Sequence, residues 1–541
     1  MKKINILSGA LIALASVSCT NLDVDINSVY TEYPIDSDVA LEARINNAYY
    51  AFRGALGRRY DELVSCNSDE YTAISFDGDY LNGRDMANIS LHNVDQDASA
   101  SQLNVYNDIQ AGIVNCNQLL RDLGEENPEI AAPVRAARAF YTFILMDNWG
   151  DTPIIDYTLF EDNKAIDRSP RAEVAKWIEK ELLEIRDQCP EEVSEATYGT
   201  PTCWMVDALL AKLYINWNVY TKDVTDPSWS ADAANEKIND CVKACDRVIA
   251  SGLFNLSDDY KAKFMYNNGP YIKDFIYVMP FDAVTQQGLT YARFRTWRRG
   301  QNDNGFYTME MTNSVGGNMT LTPEFVELFN LPGDRRNDVI AGDANAATYD
   351  VYQYDVTTGE KTDIRNTYKD EPAVFYKSIT LKTQDGDLNT GADMFGWCQG
   401  YRSIKFFPNI EEYNTFSRNQ SNDVPIFRYA DILLMKCEAI TRGASATNGD
   451  TPKSLFNQIR SYVNAPEITS DPSLQDILDE RGREFLDEHW RRNDLIRFGK
   501  FEEAWGFKHL NPNANNLTNR ILPLSRDVLN ANTNWSQNEG Y

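Results

Sequence analysis

The chain has 541 residues, 43% hydrophobic and 12% aromatic, ample apolar material for a large core, which excludes disorder through most of its length. Eighty acidic side chains against 52 basic ones set the formal net charge at -28, which excludes a basic nucleic-acid binder. Length alone suggests three or four units of about 150 residues, although helical assemblies run longer as one body.

Residues 1–18 read as an export leader. Lys2 and Lys3 open it, Ile4 to Val17 is mostly apolar, and the small residues around Ser16 and Ser18 precede Cys19. The apolar run is shorter than the roughly 20 residues a membrane-spanning helix needs. Cys19 stands where a lipoprotein signal peptidase leaves a new N-terminal cysteine for acylation, so it is the predicted lipid anchor; the competing reading is plain secretion with Cys19 a bystander. Loss of the leader removes Lys2 and Lys3 and no acid, taking the net charge from -28 to -30. So acidic a chain does not adhere to anionic lipid without an acyl group.

Beyond the leader, apolar residues at three- and four-residue spacing predict a mostly α protein built of antiparallel helix pairs. Predicted helices run Val39 to Leu56, Leu103 to Leu123, Arg135 to Trp149, Ala172 to Cys189, Ala208 to Trp217 and Ala233 to Ala250. The third ends at Trp149-Gly-Asp-Thr-Pro153, where glycine and proline turn the chain. Between Ser251 and Pro425, Gly, Asn, Asp and aromatics cluster, with short apolar runs such as Phe275 to Met279. Helices resume at Phe427 to Arg442, Pro452 to Val463 and Leu474 to Phe498. The reading is a single domain over 19–541, with a helical frame at about 36–250 and 425–541 and a loop-rich insert carrying short strands at about 251–425. Loops on a rigid scaffold usually carry binding, so the insert is the first place to look for function.

Eight cysteines remain besides Cys19: Cys66, Cys116, Cys189, Cys203, Cys241, Cys245, Cys398 and Cys437. Their irregular spacing and the lack of a CxxC pair predict buried thiols, although an even count in an exported chain permits disulfides. His92, His489 and His509 lie far apart with no zinc-type spacing, so no metal site is predicted. Asp77-Gly-Asp79 and Asp385-Gly-Asp387-Leu-Asn389 alternate carboxylates as a calcium loop does, but neither completes the twelve-residue pattern. Polar turns are the expectation there, and calcium is the one cofactor left open. Glu480, Glu484, Asp487 and Glu488 recur beside Arg481, Arg483, Arg491 and Arg492, which predicts pairing on a helix surface. A glycosidase would set two carboxylates about 5 to 9.5 Å apart across a cleft, and helix neighbours pointing one way do not. No GxSxG and no phosphate-cradling loop occurs, so no catalytic residue is predicted.

The C-terminal third carries the sharpest pattern: Arg428-Tyr-Ala-Asp-Ile-Leu-Leu-Met435 with Glu438-Ala439, Phe456-Asn-Gln-Ile-Arg460, Leu478-Asp-Glu-Arg481 with Glu484-Phe485, and Trp490-Arg-Arg-Asn-Asp-Leu-Ile-Arg-Phe-Gly-Lys500. It closes with Ile521-Leu-Pro-Leu524 and Gln537-Asn-Glu-Gly-Tyr541. With Arg138-Ala-Phe-Tyr141 and Trp149-Gly-Asp-Thr-Pro153, these segments resemble the SusD/RagB family of surface glycan-binding lipoproteins, in order over almost the whole mature chain. The resemblance implies a SusD-like fold with tetratricopeptide-like helix pairs, anchored by lipid in a Gram-negative outer membrane and facing the cell exterior. It also implies a non-catalytic binder of oligosaccharides that delivers them to a partner SusC-like TonB-dependent transporter.

A pyranose ring has an apolar C–H face and a rim of hydroxyls, so a glycan site needs aromatic planes flanked by polar groups. Two loop segments qualify. Ser68 to Arg84 interleaves Tyr71, Phe76 and Tyr80 with Asp69, Asp77, Asp79 and Arg84; Tyr291 to Tyr307 centres on Trp297, the leading single candidate. A third cluster, Phe395-Gly-Trp397-Cys-Gln-Gly-Tyr401, is glycine-hinged and aromatic and stands in reserve with Trp397. Against binding, Tyr71, Phe76 and Tyr80 read equally well as packing beneath a loop, Trp297 as a cation–π partner of Arg293 or Arg299, and Arg84 as a salt-bridge partner of Asp79 or Asp85. Alternative functions are the same fold capturing peptide or another nutrient, or a helical-repeat scaffold for protein interaction.

Overall fold

A computed structural model of the chain describes residues 35, 37–81, 84–123, 127–155, 165–290, 307–313, 317–368 and 371–541. Cys19 and Trp297 lie outside the described residues. The chain divides into two units, Met1–Arg44 and Ile45–Tyr541. In the first, the described part is the opening of the helix Asp38–Tyr49, where Ser37 Oγ accepts from Ala40 N at 3.2 Å.

The second unit is mostly helical, with small two-stranded sheets. The helix Pro128–Trp149 packs on Val105–Leu123 on one side and Arg171–Ile185 on the other. It starts seven residues before the predicted Arg135, because Pro128 suits the first helical position, where no N–H partner is needed. It ends where predicted: Gly150 takes φ 76°. The helix Cys203–Ile215 is buried along its whole length and mostly apolar, and its two charged residues are paired, Asp207 with Arg186 and Lys212 with Asp431; Thr202 caps it by accepting from Met205 N. That helix packs on Ile238–Ser251, which packs on Tyr429–Thr441, which packs in turn on Pro452–Tyr462. The strands Phe275–Met279 and Val424–Arg428 pair antiparallel and are buried throughout, tying the two ends of the loop-rich stretch together.

Other predicted helices also differ in outline: Ala208 to Trp217 begins five residues earlier, at Cys203, and Ala233 to Ala250 five residues later, at Ile238. Val39 to Leu56 is interrupted after Tyr49, with a short helix following at Arg53–Leu56. Phe427 and Arg428 belong to the strand, and the helix begins at Tyr429. Leu474 to Phe498 is two helices, Leu474–Phe485 and Arg491–Arg497, because Asp487 and His489 take left-handed φ of 63° and 71°. The reason lies in what Asp487 does there: it accepts from Tyr71 Oη at 2.6 Å and from Ser403 Oγ at 2.5 Å. All eight described cysteines are buried thiols.

The charged run in this region is not a surface. Glu480, Glu484, Asp487 and Glu488 are buried, and the predicted surface pairing is replaced by a buried ionic network. Arg336 binds Asp334 at 2.7 Å, Glu480 at 2.7 Å and Glu484 at 3.1 Å. Arg428 binds Asp274 at 2.6 Å, Glu484 at 2.9 Å and Glu488 at 2.7 Å, while Lys405 meets Glu488 at 2.6 Å and Lys263 meets Asp274 at 2.8 Å. Burial pushes the Asp274 carboxyl up, and the charges of Lys263 and Arg428 more than reverse this, holding it at about 2. Helical spacing sees only neighbours on one helix; the partners arrive from distant strands and loops, Arg336 lying 148 residues from Glu484 and Tyr71 416 residues from Asp487 in sequence. Among the described residues no helix is long and apolar enough to cross a membrane.

Candidate glycan-binding surface

Two of the loop segments singled out by sequence meet. Asp77 and Gly78 both take positive φ, 48° and 97°, the geometry of a type I′ turn, and Phe76 and Asp79 exchange two backbone hydrogen bonds of 3.0 Å across it. The turn is pinned to the segment 382–392. Asp77 accepts from Lys382 Nζ at 2.7 and 2.8 Å, from Asn389 Nδ2 at 3.2 Å and from Ala392 N at 3.1 Å, and the hydrogen bond from Lys382 leads in holding its carboxyl below the usual range. Arg84 reaches Asp387 at 2.5 Å, across the loops, and not the sequence neighbours Asp79 or Asp85. The acidic motifs at Asp77 and Asp385 are thus turns that clamp one loop to the other. Among the described residues no three His, Cys, Asp or Glu side chains stand together as a metal site.

The second loop continues into a single helical turn, Met394–Trp397, capped by Asp393, whose carboxylate accepts from Gly396 N at 2.8 Å. Gly396 is required there, since a Cβ would sit 2.2 Å from Gly391 O. This turn lays Trp397 flat on Phe76, with centroids 4.3 Å apart and planes 6° from parallel. Trp397 Nε1 donates to Ala392 O at 2.8 Å. Leu388, Leu381, Ile74 and Leu91 complete a small core beneath the loops.

The sequence-predicted site residues therefore separate into two groups. Tyr71 is 1% exposed and in strand Tyr71–Ala73, donating to Asp487; Asp69 is held bidentate by Arg491 at 2.7 Å on both oxygens. Phe76 is buried and Trp397 is 8% exposed. In this conformation Tyr71, Phe76 and Trp397 offer no open ring face to a sugar, because each is used to fasten a loop to the body. Tyr80 remains half-buried, edge-on to Phe76 at 5.9 Å, with its hydroxyl accepting from Gly317 N at 3.1 Å. Phe395, inside the reserve cluster, is 45% exposed and packs edge-on against Tyr376 at 4.9 Å. Trp297 and residues 291–306 are outside the described residues.

Tyr80 also walls a polar cavity of about 180 Å³ with Arg58, Arg59, Asp85, Gln102 and Asn318. Arg58 Nε and Arg59 Nη1 reach the buried Glu62 at 3.2 and 3.0 Å, and Gln102 Nε2 donates to the same carboxylate at 3.0 Å. Burial raises the Asp85 carboxyl. A cavity of hydroxyl, amide, carboxyl and guanidinium groups with the half-buried ring of Tyr80 in its wall suits a hydroxyl-rich ligand. The sequence did not point to Arg58, Arg59, Gln102 or Asn318. They come from two helices and a strand approach that share no motif, and only the tertiary fold converges them.

Comparison with known proteins matches this architecture from both ends. The model of the SusD family matches residues 273–541, and the model described as starch-binding associating with outer membrane matches residues 24–215. The chain belongs to the SusD/RagB family. It is 26% identical over 433 residues to the starch-binding protein SusD of Bacteroides thetaiotaomicron, covering 76% of this chain and 72% of that one. Its fold is that of a laminarin-binding SusD-like protein, at TM-score 0.66 and 20% identity over 93% of this chain and 100% of the other. It is also that of surface glycan-binding protein A of Bacteroides thetaiotaomicron in complex with laminarihexaose, at TM-score 0.63 and 17% identity over 93% and 99% of the two chains. The residues described above lie in both matched segments, Arg58, Arg59 and Tyr80 in the first and Phe395, with Trp397 packed beneath the loops, in the second.

Proposed function

We propose that this SusD-family chain is a surface lipoprotein of the outer membrane, anchored through Cys19, that binds oligosaccharides without cleaving them and passes them to a TonB-dependent transporter. The observation that carries the reading is the family membership: a relative named for starch binding covers three quarters of the chain, and structures of the same fold include a laminarihexaose complex. The half-buried Tyr80 in the wall of a hydroxyl-matching cavity and the exposed ring of Phe395 support it, as does the commitment of the clustered carboxylates Glu480, Glu484 and Glu488 to buried cations. Trp297, the leading candidate read from the sequence, is retained in this proposal as a residue that stacks on the sugar.

The test is calorimetry of soluble protein beginning after Cys19 against starch-derived, laminarin-derived and other oligosaccharides and against peptides, with released sugar assayed in the same samples. Saturable binding without release is expected. Trp297→Ala is expected to weaken binding about fivefold or more with an unchanged melting temperature, the scale of one lost aromatic contact. Released sugar would overturn the non-catalytic reading, and peptide binding with silence across all sugars would overturn the ligand class.

A further inference from the structure

Away from that surface, the linker 222–237 between helices Trp217–Thr221 and Ile238–Ser251 presents Trp229 in a fixed pose. Its Nε1 donates to Asn218 O at 3.3 Å, and the Arg520 guanidinium lies 4.9 Å from the ring centroid. Arg520 is itself immobilised, bidentate on Glu502 at 2.8 and 2.7 Å and donating to Val224 O at 2.7 Å. The half-buried indole is thus backed by a rigid cation, and it lines two cavities, of about 360 and 330 Å³, which also share Asn218, Ala233 and Ala234.

The first cavity is floored by small and aliphatic side chains and rimmed by Asn235, Thr441 and Arg442. Arg442 is 11% exposed; its Nε binds Glu438 at 2.8 Å and its Nη1 donates to Ala231 O at 2.9 Å, while its buried Nη2 has no protein acceptor. The second cavity carries Lys222, Asp223, Asp226, Ser228 and Ser230, mixed in sign and rich in hydroxyl partners. An indole plane backed by a cation, small and aliphatic lining side chains and hydroxyl-matching polar groups in both cavities form a site for a polyhydroxylated, uncharged ring. Both cavities carry acids and cations together, Asp232 with Arg442 and Arg497 in the first and Asp223 and Asp226 with Lys222 in the second, and this mixed-sign lining favours an uncharged ligand over an ion of either sign.

We propose that the cleft around Trp229 is a second carbohydrate-binding site, taking one or two rings of a neutral glycan across Trp229. The ligand class rests on the function proposed above; the place does not, since the cleft shares no residue with the surface at Tyr80 and Phe395. Two sites on one chain raise the effective concentration of a long glycan at each, so polymers gain more than short oligosaccharides.

The experiment is hydrogen–deuterium exchange and calorimetry on the full mature chain with a panel of neutral oligosaccharides that includes maltohexaose and laminarihexaose. A bound oligosaccharide is expected to protect residues 218–235 as well as the loops at 75–84 and 382–397. In Trp229→Ala, protection of 218–235 is lost and affinity for the parent polysaccharide falls at least about fivefold, while protection at 75–84 persists. Trp229→Phe, which keeps a ring over Arg520, is expected to retain part of the protection and guards against misfolding of the alanine variant. Protection at 75–84 with none at 218–235 overturns the second site and leaves the proposed function standing. Absence of heat and of protection with every sugar overturns both.

Discussion

Trp397 and Phe395 stand two residues apart in one aromatic run, yet the structure gives them opposite environments. Trp397 is stacked on Phe76 over a small core and hydrogen-bonded through its indole, whereas Phe395 leans outward on Tyr376. Trp397→Ala is therefore expected to destabilise the folded chain by about 3 to 5 kcal/mol, the range for a truncated buried aromatic. Phe395→Ala is expected to leave the thermal melt unchanged and to weaken oligosaccharide binding about fivefold. Thermal denaturation and calorimetry on the two variants decide this; a stable Trp397→Ala that loses binding would put Trp397 itself against the sugar. Tyr71 follows the same logic. Its ring is in the core and its hydroxyl serves Asp487, so Tyr71→Phe should lower stability by about 1 to 3 kcal/mol through that carboxylate and leave binding intact.

Between elements, the charged residues of helix Leu474–Phe485 act as a junction. Glu484 accepts from Arg428 on a strand, from Arg336 in the loop-rich stretch and from the Tyr462 hydroxyl on the neighbouring helix. Such a network contributes less net stability than its contacts suggest, since every ion has been desolvated, but removing one charge strands its partners. Glu484→Gln leaves Arg336 with Asp334 and Glu480, and Arg428 with Asp274 and Glu488, each short of one counter-charge. The expected loss is about 3 kcal/mol, measured by denaturant titration. A neutral outcome would mean that the remaining carboxylates already balance both arginines.

Across the whole molecule two buried carboxylates respond to pH in opposite directions. Asp274, held at about 2 in the fold, contributes stability that is complete above the unfolded pKa of about 4 and lost as pH falls toward 2. Asp423 is the reverse. Burial pushes it up to about 7, against donation from Phe281 N at 2.8 Å and the Tyr198 hydroxyl at 2.7 Å. With the folded pKa raised, the fold binds this proton more tightly than the unfolded chain, so its contribution is complete below about pH 4 and lost as pH rises through 7. Asp423→Asn keeps an acceptor for Phe281 N and can donate to Tyr198, and it cannot ionise. Its melting temperature is expected to fall less than the parent's between pH 4 and pH 7, which a pH series of thermal melts checks.

Read by itself, the amino-acid sequence determined the mostly helical class, the places of the long helices, the buried thiols and the family, because these depend on local periodicity and on motifs that lie within single segments. The turn at Trp149 to Pro153 was legible for the same reason: glycine and proline act on their own backbone. What only the tertiary structure decided is which aromatics face outward and which charges face inward. Tyr71 and Tyr80 both sit in one polar-aromatic loop, and their fates diverge because strand pairing with Met319–Leu321 turns Tyr71 inward while a left-handed φ of 63° carries Tyr80 to the rim. Glu484 is spaced from Arg481 and Glu488 like any surface helix residue, and it is buried because Arg428 and Arg336 come to it from elsewhere in the chain. Burial is a property of what packs on a residue, and that partner is rarely its neighbour in sequence.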